Sequence, residues 1–427
     1  MGGEVTVPGD KSISHRALML GAIAKGPTLI RGFLQSDDCL ATRAALEALG
    51  VSVRDVADRT LAITGVGMTG LTASSKALDL GNSGTAIRLM TGLLAGAAFD
   101  SELTGDASLR QRPMERIAAP LRQMGARIET TAGKPPLRIE GGCALRGIDY
   151  TLPIASAQVK SALLLAALSA TGRTILRSPG PSRDHTERMF LSMGAEIEQD
   201  EARHIVSLSG PAALRGGEID VPADFSSAAF FIVAGCLAAT GGLLIKNVGV
   251  NPTRVGLLTI LREMGARIEL TAQRRLGAEP VADVYVEQSR LRGIEVPEKC
   301  VPLAIDEFPI LFVAAAGAVG TTVVRGAEEL RKKESDRLAV MAAGLTTLGV
   351  TVDEEPGGLI VEGGPLRGGL IDSHGDHRIA MAFAVASLIA DAPVEILNTA
   401  EVATSFPGFV DVANAAGLRI ETRGTPP

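Results

Sequence analysis

One phrase recurs along this chain and limits its folds more than any other feature. Leu-x-x-Met-Gly-Ala-x-Ile-Glu runs from Leu121 to Glu129 and again from Leu261 to Glu269, with a close relative from Leu191 to Glu198. Looser copies reach Gly50, Gly349 and Gly417, so marker glycines stand at 50, 125, 194, 265, 349 and 417, a unit of about 70 residues. In each copy an amphipathic helix runs into a glycine, the residue that most readily leaves a helix through the left-handed region, and alternating apolar residues then read as a strand.

About 36 to 42 residues before each marker lies a second recurrent segment: a strand, a short polar or glycine-bearing turn, and a very apolar helix. These helices start near Lys11, Gly84, Gln158, Ser226, Glu307 and Arg378. KSALLLAALSA and RIAMAFAVASLIA are apolar nearly all round, so they belong inside a domain rather than on its surface. The spacing predicts an α/β fold of six βαβαββ-like units. At 427 residues the chain exceeds the size at which one core keeps growing, so the units divide three and three between two domains. Val7-Pro8-Gly9-Asp10 recurs in form as Val221-Pro222-Ala223-Asp224, each before an apolar helix. The chain is expected to cross there, giving one domain from residues 1–9 and 223–427 and a second, 10–222, inserted in it. A solenoid is the alternative for such repeats, but a helix without a polar face suits a closed domain better.

A net charge of −6, no Trp and only two Tyr argue against a nucleic-acid binder. No apolar run reaches the length of a membrane span, and strand-like Val5-Thr6-Val7 leaves no room for a signal peptide, so a cytoplasmic protein is expected. Cys39, Cys143, Cys236 and Cys300 lack metal or disulfide spacing and read as buried small residues.

Polar residues cluster at one phase of every repeat, the helix N-terminus, where unsatisfied N–H groups and a partial positive charge favour anions. Lys11, Ser12 and Arg16 add two charges and a hydroxyl to the first such start; an ordinary capped helix with solvated bases is the alternative. Around Gly84 a glycine-rich turn lets backbone approach a ligand, or serves the turn alone. Arg112 is expected to project from the start of an outer helix. Ser156, Ala157 and Gln158 suit sugar-like hydroxyls or capping. Asp306 and Glu307 precede the apolar run ILFVAAAGAV, where a carboxylate is either a general base or a cap. Arg331 to Arg337 alternates in sign and reads as a helix start, commonly a solvated face. His374, Asp376 and His377 resemble metal ligands, but no third cluster matches them and no metal is expected. Lys11, Arg112, Lys333, Arg337 and Arg378 nevertheless stand at helix starts in five segments of a net-acidic chain. A cleft lined by such starts implies small substrates bearing phosphate and carboxylate, with Asp306, Glu307 and Glu334 as acid–base candidates.

Nine ordered segments, PGDKSISHRA, GNSGTAIR, QRPM, SAQVK, RDHTE, DEFP, KESDR, GDHRIAM and TSFPGF, resemble those of the 5-enolpyruvylshikimate-3-phosphate (EPSP) synthase family along the whole chain. The resemblance implies two domains of three similar units, the inside-out α/β barrel of enolpyruvyl transferases, that close on shikimate 3-phosphate and phosphoenolpyruvate without a cofactor or metal. It implies that Lys11, Ser12 and Arg16 hold shikimate 3-phosphate, with Ser156, Ala157 and Gln158 on its phosphate and hydroxyls and Arg183, Asp306 and Lys333 beside them. Lys11, Gly84, Arg112, Gln158, Arg337 and Arg378 would surround phosphoenolpyruvate. Asp306 would accept the proton of the attacking hydroxyl, and either Lys11 or Glu334 would protonate the methylene.

Two departures stand out. Thr404 occupies the place where many members carry Lys before Thr-Phe-Pro, and Leu89 replaces the Pro that follows the arginine of the Gly84 segment. GDKS, SAQVK, RDHTE and NPTR resemble the glyphosate-tolerant (class II) branch. The chain is expected to be monomeric, to take the inhibitor glyphosate, and to bind neither nucleic acid nor membrane. The rival readings are the sister enzyme acting on UDP-N-acetylglucosamine, which typically carries Lys-Asn near its N-terminus and a loop cysteine, and a non-catalytic repeat scaffold with a phosphate-binding cleft.

Overall fold

A computed structural model describes residues 1–424 and divides the chain into two compact units. One comprises Met1–Pro8, Pro222–Arg275 and the chain from Pro280 onward; the other comprises Gly9–Val221 with Leu276–Glu279. Each contains three sheets flanked by helices, a mixed α/β architecture.

The second repeat shows the pattern: strand Leu78–Asp79, buried helix Gly84–Leu94, strand Ser101–Thr104, outer helix Glu115–Gln123, then the hairpin Arg127–Thr131 and Lys134–Glu140. Its first two strands pair in parallel and the rest antiparallel. The third repeat follows suit from Asp149–Thr151 to Ile205–Gly210. At both chain crossings the pattern is exchanged. Gly3–Val5 pairs in parallel with Leu243–Ile245, and Glu218–Asp220 pairs in parallel with Leu29–Arg31. The first and fourth repeats thus trade opening strands.

The six inner helices, Lys11–Ile23, Gly84–Leu94, Ala157–Ala167, Phe225–Ala238, Phe308–Ala316 and His377–Ala386, begin within a residue or so of the starts expected from the repeat. Every residue from Ile13 to Ile23, from Phe225 to Cys236 and throughout Phe308–Ala316 is buried, as a helix without a polar face requires. Their ends are satisfied locally. Asp10, Ser83, Ser156, Asp224 and Asp376 are N-caps whose side-chain oxygens accept first-turn N–H bonds.

All six marker glycines take the left-handed conformation, with φ between +84° and +104°. Each closes an outer helix with the same bond pair. Ala126 N donates to Leu121 O and Gly125 N to Arg122 O in the second repeat; Leu418 N donates to Ala413 O and Gly417 N to Asn414 O in the sixth. Phe230, Phe231, Phe406 and Phe409 pack with ring centroids 5.4 to 6.3 Å apart. Burying each such ring contributes about 2 kcal/mol.

Three local expectations need correction. Arg112 follows the short helix Leu109–Gln111 and precedes the outer helix Glu115–Gln123, because Pro113 starts a fresh segment. Residues 331 to 337 are not one helix: a 3₁₀ segment, Glu328–Lys332, ends before Lys333, and Asp336 caps the helix Arg337–Thr347. Cys143 is partly exposed, whereas Cys39, Cys236 and Cys300 are buried. Among the described residues no helix is long and apolar enough to cross a membrane.

Gly265 and Gly92 separate two reasons for glycine. At Gly265 (φ +95°) an added Cβ meets only Arg290 O at 3.7 Å, so Gly265→Ala should cost about 1–2 kcal/mol, the left-handed penalty alone. At Gly92, inside a helix, the Cβ would lie 2.1 Å from Ala162 O, so Gly92→Ala must push two buried helices apart. Thermal melts should show the larger loss for Gly92→Ala; equal losses would discount the close helix approach.

Candidate active site

In the unit built on Gly9–Val221, three buried-helix starts are tied to one another. His15 Nδ1 lies 2.8 Å from Thr42 Oγ1 and its Nε2 lies 3.3 Å from Ser83 Oγ, the cap of the Gly84 helix. Arg88, one turn into that helix, donates to Gln158 Oε1 at 2.9 Å, and Gln158 Nε2 donates to Thr85 Oγ1 at 3.1 Å. Arg16 completes the circuit through Ser161 Oγ (2.8 Å) and Thr186 Oγ1 (2.7 Å), and also donates to Ser12 O at 2.9 Å. Sequence reasoning gave Arg16 a ligand contact; its guanidinium is enclosed, only 4 % exposed. Burial pulls its pKa down to about 10 against the attraction of Glu187 and Asp10.

Lys11 Nζ lies 2.5 Å from Asp38 Oδ2, and Arg112 donates to Asn82 Oδ1 at 2.5 Å. Gly84 sits beneath two guanidinium groups: a Cβ there would stand 2.8 Å from Arg88 Nη1 and 2.9 Å from Arg112 Nη1. Ser156 caps its helix by accepting from Val159 N, and Ala157 and Gln158 open the first turn, partly exposed. Arg183 lies in the turn just before the helix His185–Ser192.

The other unit holds the carboxylate candidates. Asp306 Oδ1 lies 3.3 Å from Lys333 Nζ and 3.7 Å from Arg337 Nη1. Arg337, only 1 % exposed, donates through Nε to Asp376 Oδ2 at 2.8 Å and through Nη2 to Glu334 Oε2 at 2.6 Å. Burial opposes its charge, but Asp376, Glu334 and Asp306 outweigh that and raise its pKa. Its buried Nη1 has no hydrogen-bond partner among the described residues. Arg378 stands at the start of its helix with a partly exposed side chain that no described carboxylate pairs. Glu307 is fully buried, accepts from Ser226 Oγ, and lies 3.6 Å from Arg254 Nη2. That makes it a structural acid, whereas Asp306 remains partly open. At the departure from the family pattern, Thr404 donates its hydroxyl to Glu401 O at 2.7 Å and supplies no charge.

Sequence reasoning passed over His15, Asp38, Arg88, Lys160, Glu187 and the structural part of Asp376. Arg88 was detectable, since it repeats the pattern of a base one turn into an apolar helix, as Arg16 does. Asp376, weighed as a metal ligand, instead caps its helix and holds Arg337; no group of three or more His, Cys, Asp or Glu among the described residues could hold a metal ion.

Each unit therefore gathers cations and helix N-termini in the manner of an anion-binding α/β transferase. The sequence profile of EPSP synthase (3-phosphoshikimate 1-carboxyvinyltransferase) matches residues 1–413. Proteins of that name from Methylococcus capsulatus and Alkalilimnicola ehrlichii are each 56 % identical, covering 99 % of this chain and 96 % and 94 % of their own lengths. A solved EPSP synthase from Acinetobacter baumannii is 51 % identical with a TM-score of 0.88, covering 98 % of this chain and 96 % of that one. The chain belongs to the EPSP synthase family.

Burial, aided by the charges of Lys11 and Arg16, holds the His15 pKa well below its ordinary 6.5. The folded imidazole stays neutral while the unfolded one protonates as pH falls through 6.5, so stability present above that value is lost below it, by up to about 1.4 kcal/mol per pH unit. Between pH 7.5 and 5 the melting temperature of the parent should therefore fall more steeply than that of His15→Gln. Parallel curves would remove His15 as the cause.

Proposed function

We propose that this chain transfers the enolpyruvyl group of phosphoenolpyruvate to the 5-hydroxyl of shikimate 3-phosphate, releasing phosphate, as a step of the shikimate pathway to aromatic amino acids. The observation that carries the reading is Asp306: a partly open carboxylate held beside Lys333 and Arg337 in a chain whose full-length relatives bear this activity's name. The hydroxyl oxygen bonds to C2 of phosphoenolpyruvate while its proton passes to Asp306 and the methylene carbon gains a proton from Lys11 or Glu334. The resulting ketal then loses phosphate by cleavage of its C–O bond as a proton leaves the new methyl group. Lys11, Ser12, Arg16, Ser156, Ala157, Gln158, Arg183 and Lys333 engage shikimate 3-phosphate; Lys11, Gly84, Arg112, Gln158, Arg337 and Arg378 engage phosphoenolpyruvate. Positioning of two anions and neutralisation of the charge that develops supply most of the rate.

The finer reading is a cytoplasmic monomer of the glyphosate-tolerant branch. It is supported by the GDKS, SAQVK, RDHTE and NPTR segments and by Thr404, whose hydroxyl is committed to Glu401 O. Gly84, with no methyl group, argues for intermediate rather than full tolerance.

Phosphate release from phosphoenolpyruvate, with shikimate 3-phosphate or UDP-N-acetylglucosamine as acceptor, tests the reaction; release only with the latter would transfer the chain to the sister activity. Asp306→Asn should bind both substrates yet turn over slower by a factor on the order of 100 or more, because a positioned base contributes about that much. Near-parental turnover would make Asp306 a cap.

Gly84→Ala places a methyl group against Arg88 and Arg112. Those guanidinium ends can yield to the smaller phosphoenolpyruvate more easily than to the longer glyphosate. The inhibition constant for glyphosate should rise by a larger factor than the KM for phosphoenolpyruvate. Equal changes, measured with phosphoenolpyruvate varied, would sink the steric argument.

A further inference from the structure

SAQVK and RDHTE each contain a residue that the proposed reaction leaves without a task, Lys160 and Glu187. They meet. Lys160 Nζ lies 2.6 Å from Glu187 Oε1, with side chains only 10 % and 2 % exposed. Lys160 also donates to Ser182 O at 3.4 Å, the carbonyl immediately before Arg183. Glu187 Oε2 is buried with no hydrogen-bond partner among the described residues, so Lys160 is the principal compensation for that carboxylate.

The next residues along both helices repeat the link, Thr186 Oγ1 donating to Ser161 Oγ at 2.7 Å. Two rungs, 160 to 187 and 161 to 186, therefore join the helix Ala157–Ala167 to the helix His185–Ser192 close to their N-termini. Arg16 clasps the second rung from the first repeat, through both Ser161 and Thr186. One helix start carries Ser156, Ala157 and Gln158; the turn before the other carries Arg183. The charged rung sets the gap between them.

We infer that Lys160 and Glu187 are a positioning pair: they fix the spacing between the Ser156–Gln158 helix start and the Arg183 turn, and through it the affinity for the phosphate of shikimate 3-phosphate. This rests on the function proposed above. Neither residue is among those assigned to a substrate. An apolar pair of similar volume would fill the same space and could equal the ion pair in stability, because burying two charges costs nearly what their attraction returns. It could not hold Ser182 O. Stability and substrate affinity are therefore separable here.

The test compares the parent with Lys160→Met, Glu187→Gln and the double variant Lys160→Met/Glu187→Leu, by melting temperature and by KM for each substrate. The single changes leave a buried charge or its partner uncompensated and lower the melting temperature. The double variant regains most of it. Its KM for shikimate 3-phosphate stays raised on the order of tenfold, as expected when binding groups shift by a fraction of an ångström, while the KM for phosphoenolpyruvate rises by a smaller factor, because of the displaced groups only Gln158 is assigned to that substrate. Recovery of the parental KM for shikimate 3-phosphate along with the melting temperature overturns the inference, leaving the pair purely structural. If the double variant does not fold, Glu187→Gln, which keeps shape and loses charge, supplies the same KM comparison. A parent that turns over no shikimate 3-phosphate defeats the proposed function instead, and the parent control tells the two failures apart.

Discussion

A helix with no polar face has to be buried along its whole length, which leaves only its ends to deal with water. That constraint governs both units. The inner helices cannot be held by solvated side chains, so their first-turn N–H groups fall to caps at fixed phase: Asp10, Ser83, Ser156, Asp224 and Asp376. Polar groups at and just inside these starts are then bonded to one another. His15 reaches Ser83, Arg88 reaches Gln158 and Arg16 reaches Ser161 in one unit. In the other, Ser226 donates to Glu307 and Arg337 joins the carboxylates of Asp306 and Asp376. What stabilises the helices also assembles the polar groups that a small anionic substrate would meet.

Charge balance decides which of these groups can bind an anion. An opposed unit pair about 4 Å apart is worth on the order of 4 kcal/mol at an effective dielectric near 20, enough to hold a side chain but open to competition from a doubly charged phosphate. Arg16 donates to Ser12, Ser161 and Thr186, which hold its guanidinium in place. Lys11 is neutralised by Asp38, so a bound phosphate would have to share or displace that partner. Arg337 differs: three carboxylates keep it charged while its Nη1 lacks a hydrogen bond among the described residues. Lys333 and Arg378 are partly exposed, and in a net-acidic chain such bases concentrate the local positive field.

The repeat, its glycines and the helix starts were legible in the sequence because each rests on local physics. A left-handed glycine, a cap three residues before its N–H partner and an apolar helix all depend on neighbours within a turn or two. Gly125 and Gly265 could be placed by eye for that reason. The side-chain pairs were not legible. Lys160 with Glu187, Arg337 with Asp376 and His15 with Ser83 join residues 27, 39 and 68 positions apart, and nothing in their own surroundings specifies the partner. The enclosure of Arg16 was not legible for the same reason, since its exposure depends on Ser161 and Thr186 from another repeat. The Arg112 segment was misread because Pro113 could open a helix or end one.

The exchange of opening strands shows why the repeats cannot be treated as independent modules. Gly3–Val5 is an edge strand that covers Leu243–Gly249, and Glu218–Asp220 covers Lys25–Arg31 in the same way. Without its borrowed strand each sheet would present an unpaired backbone edge, an invitation to aggregate. The crossing segments are consequently held at both ends: Asp224 N donates to Pro8 O, and the Asp224 carboxylate caps the next helix. The sixth repeat marks the contrast. Its sheet has two strands, Gly369–Asp372 and Val394–Leu397, and both Leu370 and Leu397 are exposed. Beyond Gly417 no strand returns among the described residues to complete it. The constraint that shapes the chain is therefore strongest where it crosses between units and weakest at the last repeat, where burial rests on Phe406 and Phe409 packing against the helix Phe225–Ala238.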